Sequence, residues 1–95
     1  MLLPLDGPAV FAAISVTDVP SQVKVGALVL EERQVLTLQP TNGHIYYGYN
    51  NTVSSTTGTK IYKSQWIQIE ASEKLPVWVV ADPTKTVDVR ITEVS

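Results

Sequence analysis

The sequence predicts an all-β fold: an antiparallel β-sandwich or jelly-roll-like barrel of about seven or eight short strands. Three observations predict it. Apolar residues recur at every second position over most of the chain, and turn residues break this pattern at short intervals. No window carries the 3.6-residue period of a helix.

The first strand is expected at 9–17, where Val10, Ile14 and Val16 share one face and Phe11, Ala13 and Ser15 the other. A second follows at 22–31. Glu31-Glu32-Arg33 then makes a tight turn into a strand at 34–39, with Leu36 and Leu38 in phase. Thr41-Asn42-Gly43 offers a positive-φ turn into a strand at 43–50, and Thr57-Gly58 does the same before 59–62. Between them, Asn50 to Thr57 is polar and reads as the longest surface loop. A strand at 65–70 places Ile67 and Ile69 inward and Trp66 outward. Val77 to Ala81 is continuously apolar, which suits a strand at 76–82 buried on both faces, with Trp78 in the core. Asp82-Pro83-Thr84-Lys85 has the order of a type I turn. It closes a hairpin onto 86–94, where Val87, Val89 and Ile91 alternate with Asp88, Arg90 and Thr92. Pro20 and Pro40 fall just outside strands, where a missing N–H costs least.

The 95 residues fit one domain, read as an N-terminal arm at 1–8 and a sandwich at 9–95. The composition is 44% hydrophobic but only 17% charged, below the ~25% of an ordinary globular chain. Low charge points to surface hidden against other copies or a larger partner. Net charge is −2 and no basic patch exists, which argues against nucleic-acid binding. The start, Met1-Leu2-Leu3-Pro4-Leu5, lacks the basic and long apolar regions of a signal peptide, and no stretch is long enough for a membrane helix. The expectation is a soluble chain whose apolar arm, through Leu2, Leu3 and Leu5, docks on a neighbour.

No catalytic pattern is present. There is one His, His44, expected as a solvated turn residue, and no nucleophile elbow. There is no Cys, and Asp6, Asp18, Asp82 and Asp88 are dispersed, so neither zinc nor calcium chemistry is expected. Glu31-Glu32 point to opposite faces of an extended chain, which does not suit paired acid–base work. No phosphate-binding glycine loop occurs. The reading is a non-enzyme with no cofactor. The aromatics Tyr46, Tyr47, Tyr49, Tyr62, Trp66 and Trp78 are many for so short a chain, and adjacent Tyr46 and Tyr47 must face opposite ways. Tyr46, Tyr49 and Trp66 are the candidates for a binding surface, for protein or for stacked sugar.

From Arg33 onward a recognisable order of features appears. It runs Val35-Leu36-Thr37-Leu38-Gln39, Ile45-Tyr46-Tyr47-Gly48-Tyr49, Thr52-Val53 with Thr57-Gly58, and Trp66-Ile67-Gln68-Ile69. Val77-Trp78-Val79-Val80-Ala81 and Val87-Asp88-Val89-Arg90-Ile91-Thr92-Glu93-Val94 complete it. This order resembles small β-sandwich virion proteins of tailed bacteriophages, the head decoration, cement and head-fibre type. Gln39-Pro40 and Lys63-Ser64-Gln65 depart from the pattern, in place of an Asn and an Ala-Gly-Glu turn. The resemblance implies a decoration subunit on the capsid surface of the virion, soluble in the host cytoplasm before assembly. It implies the major capsid protein as partner, and a homo-oligomer for which local three-fold lattice axes favour a trimer. The alternative it leaves is a carbohydrate-binding or adaptor domain of a phage tail, neck or head fibre.

Overall fold

The structure is a computed structural model and describes residues 7–95. The expected arm residues Leu2, Leu3 and Leu5 lie outside the described residues.

Among the described residues, eight strands form two four-stranded antiparallel sheets. They are β1 (Ala9–Val16), β2 (Ser21–Gln22), β3 (Val35–Pro40), β4 (Ile45–Gly48), β5 (Thr59–Ile61), β6 (Ile67–Ile69), β7 (Trp78–Val80) and β8 (Val87–Val94). One sheet is ordered β1-β8-β3-β6 and the other β2-β7-β4-β5. The pairs β4·β5, β3·β6, β2·β7 and β1·β8 nest one inside the next, like a long ribbon folded at the β4–β5 connection. Rolling the ribbon brings β3 against β8 and β4 against β7.

The two-residue period explains the core. Val87, Val89 and Ile91 of β8 are buried with Leu36 and Leu38 of β3, while Val16 and Ile14 approach from β1. Ile45, Ile61, Val77 and Val79 meet them from the other sheet. Each such aliphatic side chain contributes about 1.5–3 kcal/mol relative to leaving it in water. The outward residues of β1, Phe11, Ala13 and Ser15, are exposed as their parity predicts.

Several local expectations are corrected. The strand at 22–31 reduces to Ser21–Gln22, because the N–H groups of Val25 and Leu30 bond the Glu93 carboxylate instead of a neighbouring strand. Trp78 is half-buried rather than core, since it stands on the outer face of β7 beside Gly48. Pro40 ends β3 inside the ladder, opposite Val89. Neither Gly43 nor Gly58 takes a positive φ. Both are needed for room: an added Cβ would come within 3.1 Å of Val87 at Gly43 and 2.7 Å of Val53 at Gly58. The left-handed positions are Glu32 (φ 56°), Ser64 (φ 67°) and Thr84 (φ 66°). Each is the third residue of a turn closed by the N–H of Arg33, Gln65 or Lys85, at 3.0–3.1 Å. A positive φ at that place makes Asp82–Lys85 a type II turn, not type I, and it closes no hairpin, because β7 and β8 belong to different sheets.

Candidate interaction surface

The polar chemistry of the molecule gathers at the two ends of β8. Glu93 continues the inward face of Val87, Val89 and Ile91 and is fully buried. A buried carboxylate survives only with a partner, and Arg33, also fully buried, donates to it at 3.1 Å. The Glu93 oxygens further accept the Val25 N–H at 2.9 Å and the Leu30 N–H at 3.2 Å. The Arg33 guanidinium also donates to the carbonyls of Ala71 (2.9 Å), Ser72 (3.0 Å) and Leu75 (2.9 Å). No buried side-chain polar atom among the described residues is without a partner. The pair is saturated by backbone and faces no cleft, so it is a structural clamp on the two loops that close this end. Sequence reasoning missed it, although Glu93 sits in phase with the core residues of its strand.

At the other end, Asp88 accepts from the Thr41 hydroxyl (2.8 Å) and from Arg90 (3.0 Å), and these bonds hold its carboxyl below the usual range. The Asp88 N–H bonds the Asn42 side chain at 2.8 Å. His44, expected as a solvated residue, instead pairs with Asp82 and sits edge-on to Tyr46, with ring centroids 5.7 Å apart. Desolvation of the Tyr46 hydroxyl, then the nearby Asp82 charge, pushes its pKa up. Asn42, His44, Asp82, Lys85 and Thr86 line a depression of about 220 Å³ here, with no Ser or Cys nucleophile among its walls. No group of three or more His, Cys, Asp or Glu side chains converges among the described residues.

The three aromatic candidates do not form one platform. Tyr46 is half-buried on the outer face of β4, opposite Val80 and Lys60. Tyr49 lies past the end of that strand and packs edge-on against Tyr47, 6.2 Å between centroids, on the opposite parity. Trp66 is 59% exposed on the connection into β6, which belongs to the other sheet. Tyr46 and Tyr47 are both half-buried; Tyr47 faces inward and packs against the core, whereas Tyr46 lies on the outer side, where the loop after β4 folds back. Its residue Val53 is buried against Gly48 and Gly58, so the polar stretch is pinned by one apolar plug.

The outer face of the β1-β8-β3-β6 sheet is the broad open surface. Its rows across the sheet read Ala9–Val94 with Val35, which is covered at this end, then Phe11–Thr92–Thr37–Gln68, then Ala13–Arg90–Gln39, then Ser15–Asp88. The charges in these rows, Arg90 and Asp88, neutralise one another. Phe11, which sequence reasoning did not single out, is 80% exposed here. Its position opposite Val10, Ile14 and Val16 was the available signal.

The fold and these surfaces define a β-sandwich whose polar clusters serve the scaffold and whose β1-β8-β3-β6 sheet has a nearly uncharged outer face. No family model matches the chain, and no curated protein matches it.

Proposed function

We propose that this chain is a non-enzymatic assembly module: a decoration or cement subunit that binds the major capsid protein of a tailed bacteriophage and stabilises the head. The observation that carries the reading is the nested pairing of the strands combined with a nearly uncharged outer sheet face. We read the pairing as a jelly-roll winding, an architecture used by viral capsid and lectin domains. This is fold-level analogy, and the sequence resemblance to phage head proteins supports it independently. Such a subunit works by binding energy alone, bridging neighbouring capsid subunits with no bond made or broken. Modest contacts, multiplied over a lattice of copies, supply the strength. The separation of Tyr46, Tyr49 and Trp66 gives no observation in favour of the sugar-binding alternative.

Co-sedimentation of the purified chain with heads lacking it tests the reading. Saturable binding that raises the temperature at which heads release DNA is expected. A chain that stays in the supernatant at all concentrations, and is absent from purified virions, refutes it.

A further inference from the structure

The four sheet edges are unequally defended. Edge strands β2, β5 and β6 are two or three residues long, and β5 carries Lys60. Short length and charge are the usual protections against strand addition. β1 has neither. Its eight residues, Ala-Val-Phe-Ala-Ala-Ile-Ser-Val, include no charge and no proline. It is paired without a bulge to β8, from Ala9↔Val94 to Val16↔Val87, and among the described residues has no strand on its other side. A flat, uncharged edge of this length presents a row of free main-chain donors and acceptors.

Its side chains select the occupant. On the outer face Phe11 projects beside a hollow of about 350 Å³ lined by Phe11, Ala13, Arg90 and Thr92 among others. A projecting ring two residues from an alanine, next to a hollow, is a self-complementary pattern. Antiparallel pairing places residues of like parity opposite each other. When Ala12 faces Ala12 across a two-fold axis, Phe11 faces Ala13 of the partner subunit, and Val10 faces Ile14 of the partner subunit. Each ring then lies over an alanine, beside the other copy's hollow and within reach of its guanidinium.

We propose that β1 pairs with β1 of a second copy in this register, fusing two four-stranded sheets into one of eight strands. Overlap of residues 9–15 supplies roughly six to eight main-chain hydrogen bonds. The contact is isologous and closes on a two-fold axis, so it stands in place of the three-fold ring that capsid lattices suggest. It rests on the edge itself and holds whether or not the larger partner is a capsid.

Sedimentation equilibrium of the full chain tests it. The expected mass is twice 10.4 kDa. Phe11→Lys or Ala13→Glu alone raises the dissociation constant at least about tenfold, by removing the ring or placing a charge against it. The two substitutions combined set opposite charges across both halves of the contact and restore the dimer. Unchanged thermal melts of dilute protein establish that the variants fold. A monomer at every concentration, an oligomer that both single substitutions leave intact, or a combined variant no tighter than either single one overturns the proposal. Co-sedimentation with heads requires no contact between two copies, so failure here is separate from failure of the virion reading.

Discussion

Replacing Glu93 by Gln keeps the side-chain shape and removes one charge. Both Glu93 oxygens are acceptors: one takes the Val25 N–H, the other the Leu30 N–H and Arg33. A Gln amide must turn its NH₂ toward one of these donors, so at least one buried bond becomes a donor–donor clash. The Arg33 guanidinium is left buried without its counter-charge. Breaking a buried ion pair from one side costs about 3–5 kcal/mol. A domain of this size has about 5–14 kcal/mol in all. With an m-value of about 1.5 kcal/mol/M, the urea midpoint falls by about 2–3 M in equilibrium unfolding followed by far-ultraviolet circular dichroism. Substituting both partners, Arg33→Met with Glu93→Leu, sharpens the test. Where a buried pair serves only itself, apolar replacement is near neutral. Here it also strips hydrogen bonds from the backbone of Val25, Leu30, Ala71, Ser72 and Leu75. The double variant therefore stays at least about 2 kcal/mol below the parent. A midpoint shift under about 0.5 M for Glu93→Gln, or a double variant as stable as the parent, refutes the clamp.

Gly58→Ala forces a Cβ to 2.7 Å from Val53 and 2.8 Å from the Tyr46 Cβ, and costs about 1–3 kcal/mol in the same unfolding assay. Thr84→Asn stabilises by about 0.5–1 kcal/mol, because a β-branched residue at φ 66° is strained and Asn tolerates the left-handed region; calorimetry reads this as a raised Tm. Asp88 has its carboxyl lowered, by Thr41 first and Arg90 second. Its stabilisation is present above the ordinary carboxylate pKa and is lost as pH falls through the lowered folded value, so Thr41→Val flattens the acid limb of a stability–pH curve. Tyr46 is shifted up, so its contribution is intact below the ordinary tyrosine pKa and disappears as pH rises through the folded value. Tyrosinate absorbance should show Tyr46 titrating above the ordinary tyrosine pKa, and Asp82→Asn should return it only partway, since desolvation is the larger cause.

Strand periodicity was legible wherever main chain pairs with main chain. β8, β3 and β1 fall close to their expected bounds, and of the residues named for their inward faces Val16, Leu36, Leu38, Val87, Val89 and Ile91 are buried, Ile14 packs against the core, and Val10 is only half-buried. The reading failed where a side chain replaces a strand. The strand expected at 22–31 is extended in pattern, but its Val25 and Leu30 N–H groups are claimed by a carboxylate 68 and 63 positions away in sequence. Glu93 could have been found, since a charge on the core face of an otherwise regular strand demands a partner. Which cation answers it could not, because Arg33 sits in a turn with no phase to read. His44 failed for a similar reason: proximity to Asp82 depends on how β4 and β7 are paired across the sheet. Phe11 shows the reverse failure. Its outward face was legible from parity, but a lone ring among alanines and a serine carries no further pattern to mark it.

These features divide the molecule by task. β8 pairs with both β1 and β3, and its two ends carry the polar clamps: Glu93 with Arg33 at one, Asp88 with Thr41 and Asn42 at the other. Each clamp ties loop backbone to the central strand, so the ends of the sandwich use their hydrogen-bonding capacity internally. The plug at Val53 does the same for the loop over the second sheet. The outer face beside β1 and the open edge of β1 carry no such clamp. Recognition by a rigid edge needs little ordering on contact, which favours association with another preformed surface over capture of a flexible ligand.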